Sequence, residues 1–146
     1  MSKGNTFEDD LLALILNNVD AALIGDATGL RGSSTAGSLY VSLHTADPGE
    51  SGNQASSEAT YTSYARVAVA RSGALWTVTT GTATNAAAVT FPACTGGTNT
   101  IRYFAVGTDS SGTGKILYSG QLSADLAVST GITPAFAIGA LSISEG

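Results

Sequence analysis

The chain has 146 residues, and its six lysines and arginines against eleven aspartates and glutamates give a net charge of -5. A single domain of this length buries roughly 70% of the surface that its unfolded chain exposes, so folding requires no disulfide or metal. The acidic balance excludes the basic stripe of a nucleic-acid-binding protein, and the lone Cys94 excludes an internal disulfide and a paired-cysteine zinc motif.

The N-terminal residues resemble neither a secretion signal nor a membrane span. The segment MSKGNTFEDD carries one lysine and three acids, and the apolar run from Leu11 to Leu16 is too short for either role. We therefore expect synthesis inside a cell, with no nucleic acid or membrane as partner. For Cys94 we expect a small buried thiol.

One strong helix signal lies at the front of the chain. Thr6 is a candidate cap, three acids follow it, and the segment Phe7 to Ile24 is rich in apolar residues. The acids admit two interpretations, a metal cluster or a dipole-complementing helix start, and the second is favoured. The apolar arc covers about half of the helical wheel, which is wider than one packing face requires.

A link and a first strand follow. The segment Gly25 to Gly37 has no periodicity and predicts a flexible loop. In LYVSLH, residues 39–44, the leucines and Val41 alternate with polar residues, which predicts a half-buried strand with His44 on its polar face. Asp47-Pro48-Gly49 then predicts a turn.

His44 is the only histidine, and it admits a catalytic, a metal-binding or a structural role. Its local candidate partners are Thr45, Asp47 and Glu50. These three are explained more simply as turn and loop residues, because catalysis or metal binding needs further groups that converge on the ring. We therefore expect a structural role at a non-core position, where His44→Ala changes stability by less than about 1.5 kcal/mol.

The rest of the chain predicts short strands separated by clusters of Gly, Asn, Ser and Asp. The predicted strands lie in YARVAVAR, LWTV, AAAVTFP, IRYFAVG, KILYSG, LSADLAV, ITPAFAI and ALSIS. No helical pattern separates them, so the sequence predicts a mainly β fold: an antiparallel β-sandwich or jelly roll of about eight strands with an N-terminal helix. The predicted core anchors are Trp76, Phe91, Phe104 and Phe136, with carbohydrate stacking as the alternative for Trp76.

Neither of two common catalytic motifs is present in complete form. The stretch GTDSSGTGKI ends in Gly-Lys, but Asp109 and Ile116 stand where a phosphate-binding loop needs Gly and Ser or Thr. No Gly-x-Ser-x-Gly elbow is present for a serine hydrolase. We therefore predict no enzyme activity, no catalytic residues, no cofactor and no metal.

A family resemblance rests on several strings taken together. LHTADPGESGN, YARVAVAR, VTFP, FAVGT, GKILYSG and the opening KGNTFEDDLLALI resemble a family of small tailed-phage virion proteins, over about residues 3–146. The resemblance favoured is to capsid decoration, or cement, proteins, some of which are labelled tail-fibre-like. It implies a jelly-roll-like protein on the capsid surface of the virion, synthesised in the host cytoplasm, that cements the shell by binding the major capsid protein.

The alternatives are a tail or tail-fibre component and a carbohydrate-binding or enzymatic module. A fibre would normally show an elongated repeat or heptads, and neither is visible. We predict an N-terminal helix and flexible arm over 1–38, a sandwich over 39–146, and self-association as a homodimer or higher oligomer. The predicted contacts with other subunits are Phe7, Leu11, Leu12, Ile15 and Leu16.

Overall fold

The computed structural model describes residues 3–24, 29 and 32–145. Over these residues the fold is mainly β, with antiparallel sheets and a single helix at the N-terminus, as the sequence predicted. The elements are α1 (Asn5–Asn17), β1 (Ser38–His44), β2 (Val67–Ala70), β3 (Trp76–Thr79), β4 (Thr82–Asn85), β5 (Val89–Thr90), β6 (Asn99–Gly107), β7 (Ile116–Val128), β8 (Ala135–Phe136) and β9 (Ser142–Ser144).

The strands form three sheets. The largest has the order β2-β1-β6-β7, a second has the order β3-β4-β9, and β5 pairs with β8. In the largest sheet Tyr40 lies opposite Gly107 and His44 opposite Tyr103, so β1 and β6 are antiparallel. This topology leaves β2 and β7 as the two edges of the four-stranded sheet. The jelly-roll topology stays a prediction.

The chain forms two compact units, each assembled from separated segments. Unit 1 falls within Met1–Ser38, Ala70–Val89 and Phe136–Gly146, and unit 2 within Leu39–Val69 and Thr90–Ala135. Unit 1 contains α1 packed on β3 and β4, whereas unit 2 contains most of the four-stranded sheet. The predicted division into an arm over 1–38 and a sandwich over 39–146 stays a prediction.

The helix is shorter than predicted and begins differently. Its N-cap is Gly4 without a side-chain cap, so the prediction that Thr6 caps it is wrong; Thr6 lies inside the helix. It ends at Asn17 because Asn18 takes a left-handed conformation (φ 58°), which asparagine tolerates. The Asn18 amide also bonds the backbone of Ser33, so a tertiary contact fixes this end. The predicted flexible link Gly25–Gly37 lies partly outside the described residues.

Strand β1 is buried on both faces, although alternation predicted a half-buried strand. Val41 and Leu43 are 0% and 1% exposed, and on the opposite face Ser42 and His44 are both 0% exposed. The expectation that His44 lies outside the core is therefore wrong. The alternation identified the strand but not the segment that covers its polar face.

The later strands agree with the prediction in most places. KILYSG and LSADLAV are one long strand, β7, because Ile101 pairs with Leu126 and Tyr103 with Gln121, leaving residues 122–125 opposite a single residue of β6. This bulge lies in the first half of the second predicted segment, LSADLAV. Strand β4 was missed since its sequence, TATN, has no apolar alternation.

The large aromatic side chains form much of the core. Trp76, Phe91 and Phe104 are 0%, 2% and 8% exposed, which confirms them as core residues, while Phe136 is only half-buried. Full burial removes the alternative that Trp76 stacks on carbohydrate. Cys94 is 1% exposed, as expected, and its thiol lies 3.2 Å from the carbonyl of Gly96.

We expect Trp76→Ala to lower the free energy of unfolding by about 3 to 5 kcal/mol, because a fully buried indole is replaced by a cavity. Urea denaturation measures the loss. Thr77→Ala, at the exposed neighbouring position of β3, is the control and should cost less than about 1 kcal/mol. Equal stabilities of the two variants would contradict the assignment of Trp76 to the core.

Candidate functional site

The His44 ring lies in a closed polar pocket of unit 2. Its Nδ1 is 2.8 Å from the carbonyl oxygen of Ser56, and its Nε2 is 2.9 Å from Oγ of Ser42. A carbonyl only accepts hydrogen bonds, so Nδ1 carries the proton, and Nε2 accepts from the Ser42 hydroxyl. Both ring nitrogens are satisfied by the protein itself.

The Ser42–His44 pair has the spacing of a nucleophile and its base, but it is not reachable. Both side chains are 0% exposed, and the group facing Nδ1 is a backbone carbonyl rather than a carboxylate. The pair is therefore a structural feature of the core.

The neighbours of His44 in sequence turn away from the ring. Thr45 donates from Oγ1 to the carbonyl of Ser57, and Asp47 accepts from the N–H of Gly49 within the Asp-Pro-Gly turn. This matches the predicted strand and turn. Among the described residues, no group of three His, Cys, Asp or Glu side chains is arranged to hold a metal ion.

A buried ion pair, which no sequence pattern predicted, lies beside His44. Arg66 donates from Nε and Nη2 to the two carboxylate oxygens of Glu58, at 2.7 and 2.8 Å. The Arg66 side chain is 2% exposed and that of Glu58 is 17% exposed. The Tyr64 hydroxyl donates to the same carboxylate and accepts from the N–H of Leu43 in β1. Glu58 and Arg66 are eight residues apart in the sequence, and in a loop this spacing does not predict that two side chains meet.

The same arginine holds the β6–β7 hairpin loop. Its guanidinium donates to the carbonyls of Asp109 at 2.9 Å and Gly112 at 2.6 Å. The planar guanidinium group has several N–H donors in a fixed geometry, so it can bind the carboxylate and both loop carbonyls at once, which the ammonium group of lysine cannot do in the same way. The exposed loop residues 108–113 are thus tied to a buried charge.

Gln54 forms a second tie to this hairpin. Its side chain, 0% exposed, donates to the carbonyl of Tyr40 and accepts from the N–H of Asp109. A Cβ added to Gly107 or Gly114 would lie 2.2 Å from the Gln54 side chain. Both glycines are therefore required by this close approach.

Burial shifts the pKa values of this network. Desolvation lowers the pKa of His44 below its ordinary 6.5, despite the hydrogen bond to Ser56. Burial raises the pKa of Tyr64, whereas the hydrogen bond to Glu58 raises that of Arg66. At neutral pH the pocket therefore holds a neutral histidine, a neutral tyrosine and an ion pair.

Of the residues predicted to contact other subunits, some are buried and others are accessible to solvent. Leu12 and Leu16 are 0% exposed, on the helix face that packs within the chain's own fold, so they offer no surface to another subunit. Phe7 is 40% exposed, and Leu11 and Ile15 are half-buried. The helix thus has two apolar faces, and we call Phe7, Leu11 and Ile15 the outer face of α1.

Arg71, which lies outside the helix, donates hydrogen bonds to carbonyl groups in the last turn of α1. Arg71 donates from Nη2 and Nε to the carbonyls of Leu14 and Ile15, both at 2.6 Å, although the last turn of α1 has no basic residue of its own. A cation at the negative end of the helix dipole is favourable. This contact fixes the helix that carries the outer face.

Other surface features are less specific. A shallow groove of about 480 Å³ in unit 2 is lined mainly by polar side chains: Thr45, Thr98, Asn99, Thr100, Arg102 and Ser129, with Ala127 and Val128. Within the described residues, the helix is too short and too polar to cross a bilayer.

We expect His44→Ala to destabilise the protein by about 2 to 4 kcal/mol, since it opens a cavity and leaves Ser42 and Ser56 without the ring. Chemical denaturation measures this. Ser57→Ala, at an exposed position nearby, serves as the control. A loss below about 1 kcal/mol would contradict the buried placement.

The lowered pKa of His44 predicts a pH effect of definite sign. Burial disfavours protonation of His44 in the folded chain, whereas His44 in the unfolded chain takes up a proton near pH 6.5. The free energy of unfolding therefore keeps its full value above that pH and decreases as the pH falls below it. Unfolding curves at about pH 7.5 and about pH 5.5 should differ more for the parent than for His44→Gln. Identical pH dependence in the two proteins would exclude His44 as the cause.

Removing one charge of the buried pair should lower the free energy of unfolding strongly. Glu58→Gln leaves the Arg66 charge buried and uncompensated, so we expect a loss of about 3 to 5 kcal/mol. The matched control is Asp125→Asn in the exposed pair with Arg102, whose side chains are about half exposed and whose loss should cost less than about 1 kcal/mol. Thermal or urea denaturation compares them, and equal losses would contradict the central role of the buried pair.

Comparison with known proteins identifies the family. The family model described as Podophage GP4 fiber I protein gp80 matches residues 14–144, which is most of the chain. No curated protein is similar enough to count as a match. The matched range contains β1, the buried network of His44 and Arg66, and all three sheets. The chain therefore belongs to the Podophage GP4 fiber I protein gp80 family, and it is a structural protein of a bacteriophage virion.

Proposed function

We propose that the protein is a subunit of a virion appendage, a fibre component that is attached to the phage particle. The observation that carries this proposal is the family match over residues 14–144, because the family is named for a fibre protein. The fold suits the role, since a fibre subunit needs rigid surfaces that bind protein and requires no reaction. The closed pocket around His44 is consistent with that requirement.

A second candidate is decoration of the capsid shell, in which many copies bind the major capsid protein. The sequence supports it, because many fibres contain long coiled coils or repeats and neither heptads nor an elongated repeat is visible in this chain. The sole helix among the described residues spans 13 residues, which is too short for a coiled-coil shaft. The resemblance of strings such as LHTADPG to decoration proteins supports the same candidate.

Both candidates need a surface for another subunit, and we assign the outer face of α1. Full burial of an apolar side chain contributes roughly 1.5 to 3 kcal/mol, and these three side chains are already partly covered. Association costs on the order of 4 to 15 kcal/mol in lost freedom. The outer face is therefore insufficient alone and acts together with further contacts or with many copies. Its partner is a second copy of this chain or another virion subunit.

Counting copies separates the two candidates. A fibre component should be present in about a dozen to a few dozen copies per particle, whereas a cement protein should be present in hundreds, following the symmetry of tail and shell. Quantitative mass spectrometry of purified virions, with the major capsid protein as internal reference, gives the number. Hundreds of copies would overturn the fibre proposal in favour of decoration, and absence from virions would overturn both.

The outer face is tested by a double variant, Phe7→Ser with Leu11→Ser. We expect incorporation into particles and self-association to fall at least about tenfold, with a smaller change in stability than Leu12→Ala, which should cost about 2 to 5 kcal/mol. Ile132→Ser is the matched control, because Ile132 is 40% exposed like Phe7 but lies in unit 2. Normal incorporation of the double variant would remove α1 from the interface.

A further inference from the structure

The polar groove of unit 2 lies where β6 begins and β7 ends. It has a volume of about 480 Å³, and its walls include Thr98, Thr100 and Arg102 from the β6 side and Ala127 and Ser129 from the β7 side. Alternate residues of a strand point to the same face, and Thr100 lies opposite Ala127. Thr100, Arg102 and Ala127 therefore share one face of the sheet, where the small alanine leaves room beside the hydroxyl groups.

Arg102 is held in a fixed orientation in this groove. Its Nε donates to Oδ2 of Asp125 at 3.1 Å, and its Nη1 donates to the carbonyl oxygen of Thr45 at 3.1 Å. Asp125 reaches Arg102 because residues 122–125 bulge opposite this one residue of β6. Bulges beside functional sites commonly re-aim a side chain in this way. The guanidinium group and the carboxylate are thus oriented in advance of any ligand.

Several hydrogen-bonding groups of the groove are left over within the described part of the chain. Nη2 of Arg102 and the hydroxyl groups of Thr98, Thr100 and Ser129 have no protein partner there. Asp125 uses one carboxylate oxygen for Arg102, and its second oxygen is available to accept. The groove therefore offers a donor and an acceptor side by side, surrounded by hydroxyl groups that can do both.

The composition of the groove selects among ligand classes. Its volume falls within the range of about 300 to 1,000 Å³ that small-ligand sites occupy. Its apolar lining consists of Ala127 and Val128, and Val128 is 1% exposed, so little apolar surface is available. Of the described lining residues only Arg102 is charged, and its pairing with Asp125 leaves no uncompensated charge for a metal cation or a simple anion. A neutral ligand with several hydroxyl groups matches what remains.

We propose that this groove binds a neutral saccharide through two adjacent ring hydroxyls. Arg102 donates to one hydroxyl and Asp125 accepts from the other, while the threonine and serine hydroxyls bond to further groups of the sugar. The described lining includes no aromatic ring, so hydrogen bonds carry the binding and a single sugar binds weakly. The inference goes beyond the proposed function and rests on the geometry of unit 2, so it applies to a fibre component and to a decoration protein alike.

The test titrates the nitrogen-15-labelled full chain with the methyl α-glycosides of glucose, galactose and mannose, which together present adjacent hydroxyls in cis and in trans. We expect saturable amide shifts centred on residues 98–102 and 125–129 with at least one glycoside, at a dissociation constant of about 1 mM or weaker. Triethylene glycol, which has no adjacent hydroxyls, and inorganic phosphate are the controls and should produce no saturable shifts there.

Two variants show whether the groove itself is responsible. Ala127→Leu fills the groove and should weaken glycoside binding at least about tenfold, which corresponds to about 1.4 kcal/mol. Ala135→Leu makes the same change at an exposed position of β8 in the same unit and should leave binding unchanged. Arg102→Lys keeps the charge but loses the planar array of donors, so it should also weaken binding about tenfold, whereas an anion site would survive it. Thermal unfolding checks that each variant stays folded.

Three results would overturn the proposal. The first is the absence of saturable shifts with all three glycosides, or shifts centred outside the groove. The second is saturable binding of triethylene glycol or phosphate at least as tight as that of the glycosides. The third is parent-like glycoside binding by Ala127→Leu or by Arg102→Lys. All of these use isolated protein, so they are independent of the number of copies in the virion.

Discussion

The structure of unit 2 depends on one constraint, that every polar group buried against the second face of β1 must have a partner. The segment that follows β1 covers this face, and it places an ion pair and a glutamine where solvent would otherwise reach Ser42 and His44 of the strand. The fork of Arg66 on Glu58 is the centre of this arrangement, because it satisfies the carboxylate and two loop carbonyls with one buried side chain. An unpaired charge at that depth costs several kcal/mol, so the network is formed as a whole or not at all.

Unit 1 uses the same solution with different residues. Asn85, 1% exposed, donates to the carbonyls of Ala87 and Ala137 and accepts from the N–H of Leu141. Arg71 bonds the last carbonyls of α1 and the carbonyl of Ala36. Each of these polar side chains thus forms hydrogen bonds with several backbone groups that have no partner in a regular helix or sheet. This explains how a chain without a disulfide and with many short strands holds its loops in fixed positions.

Rigid loops matter for a virion protein because its surfaces must be presented before assembly. The outer face of α1, the surface proposed for contact with another subunit, lies in unit 1, and Arg71 holds the end of this helix. In unit 2 the ties from Arg66 and Gln54 hold the exposed β6–β7 hairpin loop in the same way.

The sequence by itself determined the fold class, the N-terminal helix, most of the strands, and the burial of Trp76, Phe91 and Cys94. These follow from local periodicity and composition, which neighbouring residues impose directly. It did not determine that β1 is buried on both faces, that Glu58 and Arg66 form an ion pair, or that only Phe7, Leu11 and Ile15 of the predicted contacts remain accessible. Each of these depends on which distant segment covers a given face, as when α1 packs on β3 and β4 and its Leu12 and Leu16 are buried. Only the tertiary structure decides this, because periodicity shows which residues share a face but not what lies against it.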